Sequence, residues 1–254
     1  VIRPIVEFVD RSALNDASVS SVVNSLESFN SEPIVGDTTL PSSEELRRRT
    51  IDHFATQNRA VTQQDYEALV YAMPEKFGSI KRCRVIRDPD SLRRNLNLYV
   101  VSEDASGKLA TTNSTIKENI KTWLGRNKMI SDTIDILDAK IVNIGIEFEV
   151  VVDEETNRFQ VLSDCSQAIR DKFAVTPFIG EPLYLTDIYS ALNKVNGVID
   201  TKRVNVVRKT GSSYSNTKFD VDEALSADGR YLSVPLNVAI ELKFPDSDIT
   251  GAIS

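Results

Sequence analysis

Residues able to do chemistry are few in this chain, and they are scattered. It has one histidine, His53, in 254 residues. The cations Arg47, Arg48 and Arg49 precede it, not the hydroxyl, thiol or carboxylate that a general base works beside. His53 is therefore read as a surface position on a helix. Cys83 and Cys165 lie far apart, each in an apolar pattern, which points to buried thiols in a reduced setting and not to a disulfide framework. With one histidine and two isolated cysteines, a structural zinc site lacks ligands. The ten glycines are dispersed, so neither a Walker loop nor a dinucleotide fingerprint can be drawn. Asp153-Glu154-Glu155 and Asp220-Val221-Asp222-Glu223 carry enough carboxylate for calcium or for paired acid and base work. Neither has the twelve-residue spacing of an EF-hand loop, and both read as solvated turns. Asn113-Ser114-Thr115 matches a glycosylation sequon but reads better as a helix start. No catalytic residue, cofactor or metal site is assigned, and the chain is expected not to be an enzyme.

One concentration of charge stands against the balance of the protein. Lys76, Lys81, Arg82, Arg84, Arg87, Arg93 and Arg94 face only Asp88 and Asp90, in a chain whose net charge is −7. A polyanion or nucleic-acid binding module built on this basic hairpin, 76–94, is the alternative functional reading. The stretch has no interleaved exposed aromatics and no nucleic-acid motif. Nucleic acid is thus disfavoured against a solvated strand face or a dock for an acidic protein surface.

The elements that hold these residues follow from periodicity. Ser42 with Glu45 has the form of a capping box, and Leu46, Thr50 and Phe54 then share one helical face. Thr62 caps a second helix, with Asp65 in its first turn and Tyr66, Leu69, Val70 and Met73 at helical spacing until Pro74. Cys83 and Val85, then Leu96, Leu98 and Val100, alternate as two arms of a hairpin across Asp88-Pro89-Asp90-Ser91. Ile116, Ile120, Trp123 and Leu124 form a helical stripe that Gly125 stops. From Val142 to Val152 the alternation predicts a long strand with one buried and one wet face. Leu162, Cys165, Ile169 and Phe173, then Leu185, Ile188, Leu192 and Val195, predict two more helices. Val204 and Val206 mark a strand, and Val238 to Phe244 reads as the last one. Residues 245–254 read as a frayed tail.

Clean alternation implies sheets with one solvated face, so the fold is expected to be α+β, two units of mostly antiparallel sheet with packed amphipathic helices. The expected divisions are 1–42, a Ser- and Asn-rich strand and loop segment; 43–138, a helical and hairpin unit; and 139–254, a second α+β unit with a long segment at 209–235. No apolar stretch approaches the length of a membrane-spanning helix, so no membrane partner is expected. The opening Val1-Ile2-Arg3-Pro4, without Met and running into apolar residues, reads as a piece of a longer polypeptide.

The stretch Ser43-Glu44-Glu45-Leu46-Arg47-Arg48-Arg49, followed by Arg59-Ala60-Val61-Thr62-Gln63-Gln64-Asp65-Tyr66, resembles the signature of the baseplate J-like family of contractile-tailed bacteriophages. Its core phrase is Arg-Ala-Val-Thr, two residues, Asp-Tyr. A Gly-containing turn and strand, Gly78 to Val85, continue the likeness, which covers about 43–101. The resemblance implies a structural protein of the virion, in the tail baseplate, assembled in the host cytoplasm. It implies contacts with further copies and with other baseplate wedge proteins in a ring that rearranges when the tail sheath contracts. Arg59, Val61, Thr62, Asp65 and Tyr66 would then have structural roles and no reaction attached. Ring-forming self-contact leads to the expectation of a homodimer. Tyr214, Phe219 and Tyr231, aromatic residues set among polar ones in 209–235, are candidate interface positions; the alternative for that segment is a surface loop.

Overall fold

The computed structural model describes residues 35–37, 39–88 and 95–254. Most of the expected segment 1–42, the Pro89 to Ser91 turn, Arg93 and Arg94 lie outside the described residues. The fold is α+β.

Helix α1 (Ser43–Thr56) starts where Ser42 accepts a hydrogen bond from the Glu45 amide, and it ends at Gln57 in a left-handed conformation, φ 48°. Its Leu46, Thr50, Phe54 face points outward: Leu46 is 50% and Phe54 86% exposed. The face that turns inward is polar, with Glu45 and Arg49 half buried. Helix α2 (Gln63–Tyr71) behaves in the opposite way, burying Tyr66, Ala68, Leu69 and Val70. A short turn of 3-10 helix, Glu75–Phe77, follows Pro74.

Strands β1 (Arg82–Arg87) and β2 (Asn95–Glu103) pair antiparallel from Arg82 opposite Val101 to Arg87 opposite Leu96. The short β3 (Leu109–Ala110) turns back on the end of β2. Helix α3 (Ser114–Gly125), capped by Asn113, carries the chain across, and β4 (Thr133–Asp138) then runs parallel to β2. That direction needs a crossover of a dozen residues or more, which α3 supplies. Gly125 is the last helical residue, one position inside the expected stop.

After Ala139 the chain enters β5 (Lys140–Val152), the spine of a second sheet. Helix α4 (Arg158–Lys172) buries Val161, Cys165 and Ile169, and α5 (Leu185–Leu192) buries Leu185, Ile188 and Leu192. Strand β7 (Val198–Arg208) pairs antiparallel with β5, with register shifts after Glu149 and Val151. Strands β6 (Leu183–Tyr184) and β8 (Tyr231–Leu232) form a separate two-stranded ladder, and a single helical turn, α6 (Val221–Ala224), lies between β7 and β8. Strand β9 (Val238–Glu241) runs parallel to β5 at 140–143.

Two features depart from the periodicity. The wet face of β5 is dry at its beginning: Asn143 is buried, and its side chain binds Glu241 and the Ser215 amide. Segment 209–217 folds back over that face. The terminal residues are ordered too. One turn, α7 (Pro245–Asp248), leads to β10 (Ile249–Ile253), parallel to β5 from Ile146 to Val150. Its five residues, ITGAI, are too short and too small for a period to show, but Gly251 lets the strand lie against the ring of Phe148, where a Cβ would come within 2.4 Å. Both sheets mix parallel and antiparallel neighbours.

Residues Val35–Ser254 form one compact unit. One apolar cluster lies under α2, α3, β1 and β2, and two more lie under α4, α5 and β5. A small fourth cluster, Val101, Leu109, Ala139, Ile179 and Ala239, joins them.

Candidate functional site

The Arg59 to Tyr66 phrase folds into a corner that positions α2. Thr62 Oγ1 accepts from the Asp65 amide at 3.2 Å, and Asp65 Oδ2 accepts from the Thr62 and Val61 amides at 2.8 and 3.1 Å. This reciprocal capping satisfies backbone donors that the first helical turn otherwise leaves open, and it sets a carboxylate at the positive end of the helix dipole. Tyr66, 1% exposed, donates its hydroxyl to Asp132 Oδ2 at 2.8 Å. The Ala60 amide donates to the Asn127 carbonyl at 2.9 Å, and Ala60 makes a parallel bridge with Lys128. Trp123 Nε1 donates to the Leu69 carbonyl at 2.8 Å. The phrase therefore ties α2 to α3 and to the loop before β4. Arg59 stands outside this junction: its side chain is exposed and pairs with no other described residue, while the Asp65 carboxylate accepts from two backbone amides.

A second constellation carries no sequence motif. Arg82, 1% exposed, places a guanidinium nitrogen 2.6 Å from Glu45 Oε1 and a second 3.2 Å from Oε2, while Nε and Nη2 donate to the Thr176 carbonyl at 3.1 and 2.8 Å. This fork geometry suits arginine and not lysine. Arg49 also pairs with Glu45, and Arg82 and Arg48 lie over the Phe178 ring at 4.6 and 4.4 Å. Burial pushes the Glu45 carboxyl up, but Arg82 and Arg49 outweigh it and hold its pKa below the ordinary value. Nearby, Lys81 pairs with Asp37 and with buried Glu103, and Arg84 donates to the Ile179 carbonyl at 2.7 Å. Lys81, Arg82 and Arg84, three cations of the basic hairpin, thus face inward onto the protein's own carboxylates and carbonyls. Lys76 and Arg87 remain exposed. In the strand pattern Arg82 and Arg84 alternate with Cys83 and Val85, the signature of a solvated face. The arrival of 176–179, with Glu45 of α1, covers that face, burying Arg82 and half burying Arg84.

Two further carboxyls are shaped by burial. It raises the Glu67 pKa, although the Val85 amide donates to Oε1 at 2.9 Å, and it raises that of Glu241, which accepts from the Leu109 amide and Asn143. Each of these side chains finishes a backbone edge. Both cysteines are buried and unbridged, and burial drives both thiols up, Cys165 to about 11. Such thiols pack and do not react. His53 is exposed. Among the described residues no group of three His, Cys, Asp or Glu side chains is placed to hold a metal ion, and no helix is long and apolar enough to cross a membrane.

Of the candidate interface aromatics, Tyr214 donates its hydroxyl to Asp248 at 2.7 Å and meets Phe244 edge-on, and Phe219 packs on the cluster around Val206. Both serve the fold of their own chain. Tyr231 is 41% exposed and tilts against Tyr184.

No family model matches the chain, and no curated protein matches it. Its backbone is similar to that of a chain in the cryo-EM structure of the anti-feeding prophage (AFP) baseplate, 6-fold symmetrised, with a TM-score of 0.48 and 9% sequence identity. The likeness covers 79% of this chain and 41% of that one, so this chain spans less than half of its neighbour's length.

Proposed function

We propose that this protein is a non-catalytic structural subunit of a contractile-tail baseplate. In this reading it builds the wedge ring around the tail hub through contacts with its own copies and with other wedge proteins, and the ring rearranges when the sheath contracts. The phrase Arg59-Ala60-Val61-Thr62 with Asp65-Tyr66 carries the reading. It resembles the baseplate J-like signature, and its capping and buried residues are all used to fix one helix against another. The acidic chain looks most like the C-terminal part of the large baseplate wedge protein of T-even phages. A homodimer is the smallest closed form of such self-contact, with Tyr231 the most available of the candidate aromatics.

Cryo-electron microscopy of tails carrying a tagged copy tests the placement. The tag is expected in the baseplate at the end of the tail, and tails of normal baseplate structure from which the protein is absent would overturn the reading. The polyanion alternative predicts steep salt-dependent retention on heparin; elution without retention is expected, since three of the hairpin cations are held internally.

A further inference from the structure

Two places on the described surface combine exposed apolar side chains with unpaired charge, and their charges are opposite. The first is the corner beside the Arg59 phrase. The bridge between Ala60 and Lys128 lays 59–61 alongside 126–130. Ile130 is fully exposed, Val61 is 50% and Met129 37% exposed, and the exposed Arg59 and Arg126 make no ion pair with another described residue. The second is the far end of β5. The Asp153 amide donates to the Gly197 carbonyl at 3.1 Å and Val152 pairs with Val198, which sets the 153–157 turn beside 196–200. There Phe159 is 85% and Ile199 66% exposed, among exposed Asp153, Glu154, Glu155 and Asp200; Arg158 is the cation of the same turn. None of those four carboxylates forms an ion pair among the described residues.

We propose that copies of this chain associate head to tail, the basic and apolar corner of one docking on the acidic and apolar end of the next. The strands β4 and β5 run between the two patches, one preceding β4 and the other following β5. Two-fold use of either patch would set like charges together. Pairing them across copies joins opposite charges at the rim and apolar side chains at the centre. A contact of two different patches leaves the pair with one basic and one acidic patch free, so it propagates to a ring or filament. The inference rests on the self-association proposed above and gives it a surface separate from 209–235.

Light scattering on the full chain at low salt, over a concentration series, is the first measurement. The mass should climb above 28.3 kDa and fall back when salt is added. R59E/R126E and E154K/E155K should each lose association, because each then presents one sign of charge on both patches, while an equimolar mixture of the two should recover it. Unchanged circular dichroism melting curves would show that both variants are folded. A wild-type chain that stays monomeric overturns the head-to-tail contact and leaves the baseplate reading to stand on other partners. Variants that associate like wild type, or a mixture no heavier than its parts, overturn this choice of surfaces alone.

Discussion

The Thr62 corner and the Arg82 clamp both secure helices, and they do so over different distances in the chain. At the corner the capping bonds join residues three or four apart, in an order that permits a single local geometry. At the clamp, Arg82 joins Glu45 and Thr176, which are 37 and 94 residues away. A capping bond compensates backbone groups that water could also have satisfied. A buried guanidinium has no such substitute, so its partners must all arrive together. Local geometry is thus recoverable from spacing and contributes modestly, whereas the clamp is invisible in spacing and its loss is severe.

Breaking the clamp should have the largest effect. Arg82→Ala leaves Glu45 half buried beside Arg49 alone and the Thr176 carbonyl unpaired, and removing one partner of a buried pair costs about 3–5 kcal/mol. Denaturant titration should show this loss, and combination with Glu45→Ala should be strongly non-additive. Additive costs would mean the pair is not coupled. Tyr66→Phe comes next. It takes the buried tyrosine hydroxyl from the Asp132 carboxylate, which keeps its contact with Ser131, and should cost about 1–3 kcal/mol, with α2 losing amide-exchange protection before the second sheet does. Thr62→Ala should cost roughly 0.5–2 kcal/mol, lowering the melting temperature with the fold intact; unchanged stability would remove the cap from the account.

The smallest effect is on pH dependence, and its sign separates the carboxyls. Glu67 and Glu241, raised by burial, contribute stability that is complete below the unfolded carboxyl value of about 4.3 and is lost as pH rises through their folded values. Glu45, where the arginines outweigh burial, contributes stability that is complete above about 4.3 and is lost as pH falls through its lowered value. Stability should therefore rise slightly as pH drops from 7 toward the ordinary carboxyl range and decline below it. Glu67→Gln should flatten the upper limb and leave the acid limb unchanged. A variant with the wild-type profile would sink the Glu67 assignment.

Local rules settled much of what this protein is. The caps at Ser42, Thr62 and Asn113, the buried stripes of α3, α4 and α5, the β1 and β2 hairpin arms and the inward face of β5 all depend on residues within a turn or a pleat of one another, so the period of the sequence carries them. Tertiary structure alone decided which faces are covered. Leu46 and Phe54 share a helical face that nothing described packs against, and Arg82 lies on a strand face that alternation marks as wet and residues 176–179 make dry. Asn143 is buried because 209–217 returns across β5, and residues 249–253 become a strand because β5 offers an edge with room at Gly251. Burial is a property of what arrives from elsewhere in the chain, and a window of a dozen residues holds no record of it.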